Sequence, residues 1–262
     1  MLVRIESPDN NRIKLVRKLQ TKKHRDAENK FVIEGINLVS EAVARRIAID
    51  FVLVSDEFDG GDALQSIKSD DRLIVCEIPA DLFNRITDAE NGVGILGVVD
   101  KKEVVPDDIT AIPSDANVLV LDRLQDPGNI GTMIRTAVAA GYGLVVALKG
   151  TADIFSPKVL RSTAGMIFDI PVVYADGATA VKQLMKESGR RFVVTSVEGG
   201  IPYYRENLKE GIALVIGNEG NGVSDEMLGL ADVRVTIPMR GEIESLNAAV
   251  SAAILMYEAV RE

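Results

Sequence analysis

The chain has 262 residues, 47% of them hydrophobic, enough to bury a large core and comfortable as two domains, so disorder is not the starting expectation. Its formal charge of −9 argues, as an average, against a nucleic-acid partner. One histidine (His24) and one cysteine (Cys76) leave no basis for a zinc site or an internal disulfide. No stretch of eighteen or more apolar residues occurs, and Met1–Glu6 lacks the apolar run of a signal peptide, so a cytoplasmic protein with no membrane partner is expected.

The acidic average conceals an arrangement. Residues 1–31 hold nine Lys or Arg against four Asp or Glu, a local balance of +5 that leaves −14 to the remainder. Such segregation is compatible with an RNA contact confined to one end; the same residues also read as a solvated amphipathic helix with Ile13, Val16 and Leu19 as its buried stripe. Next come a strand over 31–34, a helix over 37–46, a strand over 50–55, a helix over 62–69, a strand over 73–78, a helix over 80–87 and a strand over 93–99. This alternation predicts a small α/β domain over 1–100. Cys76, inside the apolar run 73–78, reads as a small buried hydrophobe. Residues 101–116 are charged, contain two prolines and keep no period, which predicts a linker.

A second domain over 117–262 starts with a strand at 118–121 and a helix at 130–140. Strands follow near 144–148, 171–174, 191–197, 213–217 and 233–237, and a helix closes the chain over 246–261. These strands are continuously apolar rather than alternating, as in a mostly parallel sheet covered on both faces. Leu246, Val250, Ala253, Ile254, Tyr257 and Val260 form a stripe on the last helix that a core or a dimer interface would use equally.

Ligands of open α/β sheets bind beyond the carboxyl ends of the strands, and three such ends are unusual here. Leu121–Ala137 runs from a strand through a Gly-rich turn, Asp126-Pro127-Gly128-Asn129-Ile130-Gly131, into a helix that Asn129 is placed to cap and that carries Arg135 in its second turn. Leu214–Gly222 breaks a strand into three glycines around Glu219. Ile237–Asn247 leads through Pro238 and Gly241 to the last helix. Taken singly, each has a plain structural explanation: Gly128 and Gly131 permit a tight turn, Gly217–Gly222 is an irregular loop, Ser245 caps a helix, and Arg135 is an exposed helical charge. A dinucleotide-binding dehydrogenase would need G-x-G-x-x-G and an acid after the second strand, where this chain has Gly128-x-x-Gly131 and Lys149-Gly150; a P-loop would need Gly-Lys-Ser or Gly-Lys-Thr, which is absent.

Together, in order and spacing, Asp126–Arg135, Ile216–Gly222 and Ile237–Asn247 resemble the three motifs of the SpoU (TrmH) family of RNA 2′-O-ribose methyltransferases, in the SPOUT superfamily. Lys18–Arg25 followed by Phe31–Gly35 resembles the substrate-binding domain that precedes the catalytic domain in many members. The resemblance implies an α/β fold with a SPOUT-type, mostly parallel sheet and a C-terminal trefoil knot, preceded by a small α/β RNA-binding domain. It implies S-adenosylmethionine as cofactor, held largely by backbone groups at Gly217, Ile237 and Leu246 with Asn218, Gly220 and Met239 alongside, no metal, and a homodimer whose active site both subunits complete. The family's functional residues carry over as Asn129, Arg135, Glu219, Ser245 and Asn247. Val138, where an acid is common, and the short turn Gly141-Tyr142-Gly143 depart from the pattern and bear on local RNA contacts.

The methyl group arrives activated on a sulfonium, so alignment of the ribose hydroxyl supplies much of the rate. A guanidinium stays protonated, so Arg135 is expected to stabilise the developing alkoxide and grip a neighbouring phosphate. Glu219 is the nearest carboxylate to orient Arg135 or take the proton, and Asn129, Ser245 and Asn247 are expected to fix the ribose and the loops. Two alternatives stay open: an RNA-binding or assembly protein that keeps the fold without methylating, and methylation of a base or another RNA position. By analogy with two-domain members, ribosomal RNA, and within it guanosine, is favoured over transfer RNA as the partner.

Overall fold

The computed structural model describes residues 2–87, 93–103, 105, 112–187, 189–197, 199–241 and 245–261. Residues 104 and 106–111 of the expected linker, and 242–244 of the third loop, lie outside them. The chain divides into two compact units, Met1–Glu103 with Asp153–Phe168, and Val104–Ala152 with Asp169–Glu262.

The first unit runs β1 (Leu2–Arg4), α1 (Asn11–Leu19), α2 (Lys22–Glu28), β2 (Lys30–Glu34), α3 (Ile36–Ala44), β3 (Ile49–Ser55), α4 (Gly61–Ser69), β4 (Val75–Ile78), α5 (Ala80–Asn84) and β5 (Ile95–Asp100). The sheet order is β1-β4-β3-β5-β2, parallel from β1 to β3 and antiparallel where β5 meets β3 and β2. The Asn10 side chain accepts the Arg12 N–H and starts α1, whose apolar stripe is the expected one. Ile13, Val16 and Leu19 are buried against Phe51, Leu53, Phe83 and Leu96, which leaves Lys14, Arg17 and Lys18 facing water. Cys76 belongs to the same cluster; burial raises its thiol pKa, against the lowering effect of Arg12 beside it.

The second unit opens with β6 (Val118–Asp122), α6 (Pro127–Ala139) and β7 (Leu144–Leu148). The chain then contributes residues 153–168, with α7 (Pro157–Ser162), to the first unit. Buried Arg25 donates Nε and Nη2 to Asp153 Oδ2 at 2.9 and 2.5 Å, Arg161 Nη1 donates to the buried Glu34 carboxylate at 2.8 Å, and the Phe31 and Phe155 rings lie 5.0 Å apart. Charges removed from water are thus paired, as burial requires.

The second unit resumes with β8 (Val172–Ala175), α8 (Ala178–Glu187), β9 (Arg191–Thr195), β10 (Ile201–Pro202), β11 (Ile212–Gly217), α9 (Asp225–Gly229), β12 (Val233–Thr236) and α10 (Ala248–Glu258). Its sheet, ordered β10-β12-β9-β11-β6-β7-β8, is parallel throughout. Ala178, Val181 and Met185 of α8 close one face over Val118, Val146, Phe192 and Val215. Leu119, Leu121, Leu214 and Ile216, which alternate with these residues along β6 and β11, are buried as well, and burial on both faces explains the unbroken apolar strands.

Two expectations about helix ends change. Asp126, not Asn129, caps α6: its side chain accepts the Asn129 N–H, and Pro127 at the first turn brings the start forward to 127. Asn247, not Ser245, caps α10, accepting the N–H groups of Ala249 and Val250. The α10 residues buried within the chain are Ala249, Ala252, Leu255 and Met256, whereas Leu246, Val250, Tyr257 and Val260 face outward.

Candidate active site

At the carboxyl ends of β9, β11 and β12 the second unit encloses a cleft of about 770 Å³, within the roughly 300–1,000 Å³ usual for small-molecule sites. The loops after β9, β11 and β12 line it, and side chains fasten the latter two to the loop after β6. The fully buried Asp122 carboxylate, at the end of β6, accepts the Ser224 N–H at 2.6 Å, and its other oxygen lies 3.2 Å from Arg123 Nε. Asn218 Nδ2 donates to the Arg123 carbonyl at 2.8 Å. Glu219 accepts from the main-chain N–H groups of Gln125 and Asp126 and from Asn129 Nδ2, each at 3.1 Å. Asn247 Nδ2 in turn donates to Asn129 Oδ1 at 3.0 Å, so a single chain of hydrogen bonds joins the loops after β6, β11 and β12.

Burial raises the Glu219 pKa, but the donors from Gln125, Glu219 itself, Asn129 and Asp126 outweigh it, and the carboxyl sits below its ordinary value. It is ionised at neutral pH, with both oxygens engaged.

Gly217 ends β11 opposite Asp122. A Cβ there would stand 2.2 Å from Val223 N and 2.3 Å from Gly222 C, so only glycine lets the returning chain close this turn.

Of the residues singled out from sequence, Gly217, Asn218, Glu219, Gly220, Ile237, Met239, Ser245 and Leu246 line the cleft. Asn129 and Asn247 lie behind Glu219 in the hydrogen-bonded chain. Arg135 is not brought in. It stands exposed on α6, six residues or roughly 9 Å along the axis from Asn129, with no hydrogen bond or ion pair among the described residues. The expected Arg135–Glu219 contact is therefore absent within one chain, because the Glu219 oxygens already face main-chain donors.

Asp122, Gln125 and the wall Thr195–Val197 were not legible as site residues; a carboxylate ending a buried strand was the one available signal. No hydrogen bond to the main chain of Ile237, Met239 or Leu246 occurs among the described residues. Uncommitted main-chain donors and acceptors, apolar walls from Ile216, Val235 and Leu255, and Glu219 as the single carboxylate among the described lining residues suit a heterocycle and ribose gripped by backbone. The donor set thus fits an adenosyl cofactor.

The SpoU rRNA Methylase family matches residues 116–257, and the MRM3-like substrate binding domain matches residues 10–97. The chain is 40% identical over 97% of both sequences to the 23S rRNA (guanosine(2553)-2′-O)-methyltransferase RlmP of Bacillus subtilis. It is 28% identical, with a TM-score of 0.87 over 96% of this chain and 97% of the other, to the SpoU methyltransferase AviRb of Streptomyces viridochromogenes in complex with AdoMet. An AdoMet-bound rRNA methyltransferase of Sinorhizobium meliloti aligns at 28% identity and a TM-score of 0.80 over 98% and 97% of the two chains. Fold and cleft are those of an S-adenosylmethionine-dependent RNA 2′-O-methyltransferase. The chain belongs to the SpoU rRNA methylase family, with an N-terminal substrate-binding domain.

Proposed function

We propose that this enzyme methylates the ribose 2′-hydroxyl of a guanosine in 23S rRNA, in the cytoplasm, as a homodimer. The 40% identity to RlmP, over 97% of both chains and therefore through both domains, carries the substrate assignment. Residues 1–100, with the basic face of α1 and α2, hold the RNA, and residues 117–262 carry out transfer. The C-terminal segment, which brings β12 between β9 and β10, is threaded as the family's trefoil knot.

The bound cofactor supplies a methyl group on a sulfonium. Main-chain groups of Gly217, Ile237 and Leu246, with Asn218, Gly220 and Met239, hold it in the cleft. Arg135 stabilises the alkoxide forming on the ribose and grips the adjacent phosphate, for which an always-charged planar fork is suited. Its position outside its own chain's cleft supports an active site completed by both subunits. Glu219 clasps the loops; Asn129, Asn247 and Ser245 fix loops and ribose.

The test is to delete the gene and map ribose methylation across 23S rRNA and transfer RNA. Loss at one 23S guanosine is expected; loss confined to transfer RNA overturns the assignment. In single-turnover reactions Arg135→Lys is expected to slow methyl transfer roughly tenfold or more, and a parental rate removes the bidentate role.

A further inference from the structure

Beyond the cleft, β10 is the edge strand of the second sheet. Ile201 and Pro202 pair in parallel with Val235 and Thr236, immediately before Ile237 enters the cleft wall. A Cβ on Gly200 would lie 2.9 Å from Thr236 N and Val235 C, so this segment is pressed against β12. The chain continues past the carboxyl end of β10 as Tyr203-Tyr204-Arg205, at the same end of the sheet as the cleft. The two tyrosine rings stand 5.4 Å apart at 78°. Tyr204 is 49% exposed, Ile201 44%, and Val197, which lines the cleft, 69%. β10 is only two residues long and ends in Pro202, which blunts the edge without charge and leaves Ile201 and Tyr204 open to solvent at the cleft end of the sheet. Arg205 is exposed and has no acid partner among the described residues. Its neighbour Glu206 is held by Arg191 at 2.6 Å.

Aromatic rings beside an uncompensated guanidinium are how proteins take unpaired nucleotides: the base stacks and the cation meets the phosphate. We infer that Tyr203-Tyr204-Arg205 is a stacking platform for an unpaired base of the substrate RNA flanking the methylated nucleotide, with Arg205 on its phosphate. This rests on the reading that the cleft methylates RNA. Stacking is tolerant of base identity, so the platform positions the strand rather than choosing the nucleotide.

The chain has no tryptophan, so Tyr204→Trp introduces a unique fluorophore that keeps a stacking face. Titrating this variant with unmodified 23S rRNA transcript is expected to quench its emission, a readout independent of turnover. Tyr204→Ala is expected to raise KM for the transcript on the order of tenfold, with the cofactor KM and sedimentation of the parent, and Tyr204→Phe to restore it. Arg205→Ala is expected to flatten the slope of log KM against log salt by about 0.7, one phosphate contact to a single strand. Emission from the Tyr204→Trp variant that the transcript leaves unquenched, a parental KM in Tyr204→Ala, or an effect confined to the cofactor KM or to oligomeric state overturns the platform. Failure of the parent enzyme to methylate the transcript would instead count against the substrate assignment, while the quench still decides the platform.

Discussion

The N–H groups of Gln125 and Asp126 point at the two oxygens of Glu219, and Asn129 adds a third donor. A carboxylate so engaged is a weak proton acceptor but a strong clasp. Replacing it with Gln turns one acceptor oxygen into an NH2 group that faces a main-chain N–H it cannot satisfy. Glu219→Gln is expected to cost about 1–2 kcal/mol in loop closure, seen by calorimetry as a roughly 5- to 30-fold weaker cofactor Kd. The pH dependence follows from the same contacts. Because the carboxyl is held below its ordinary 4.5 in the fold, its contribution is complete above that value and is lost as pH falls through the lower folded one. Cofactor affinity of the parent should therefore hold down to about pH 5 and fall below about 4.5, a step missing from Glu219→Gln. A variant with parental affinity, or one that keeps the acid step, would show that the clasp lies elsewhere.

At the scale of elements, the end of β11 depends on Gly217, whose missing side chain leaves room for Gly222 and Val223 to return across the strand. Gly217→Ala would force main chain against main chain, a misfit of roughly 1–3 kcal/mol or more, and is expected to lower the unfolding midpoint and abolish measurable cofactor binding. Binding at parental affinity would mean that the turn is not the cradle. Strands such as β6, β7 and β11 were legible because both-sided burial writes itself as an unbroken apolar run. Long α6 and α10 were legible to within a few residues. The short pieces were not: β1, β10 and α9 are too brief to show a period, and α7 leaves the sheet for the first unit, where Arg25–Asp153 and Arg161–Glu34 hold its segment through contacts far apart in sequence. The cleft residues could be found because they cluster in three chain turns, but Asp122 hides at the end of an apolar strand and acts through the Ser224 N–H. Arg135 marks a further limit. Its position in the motif was plain, yet among the described residues of its own chain it meets no hydrogen-bond or ionic partner.

At the scale of the molecule, α10 is apolar on every side, which ordinarily signals burial all round. Within one chain only part of it is covered: Val250 is 49% exposed and Tyr257 52%, with Leu246 and Val260 beside them. A second copy of the chain is the occupant that the homodimer reading supplies. The described lining of the cleft holds no cation of its own, and in the proposed homodimer a second copy would be the source of Arg135. Each apolar side chain so covered contributes roughly 1.5–3 kcal/mol, whereas a carboxylate in its place must be desolvated without a partner. Val250→Glu is therefore expected to sediment as a monomer at micromolar concentration and to transfer methyl groups at least roughly tenfold more slowly, because both the interface and the shared active site are lost. The parent's specific activity should fall on dilution through the dimer dissociation range, and the variant's should not. If the parent proves monomeric while fully active, or Val250→Glu remains dimeric with parental activity, then α10 is not the seam and Arg135 must reach the substrate from its own chain.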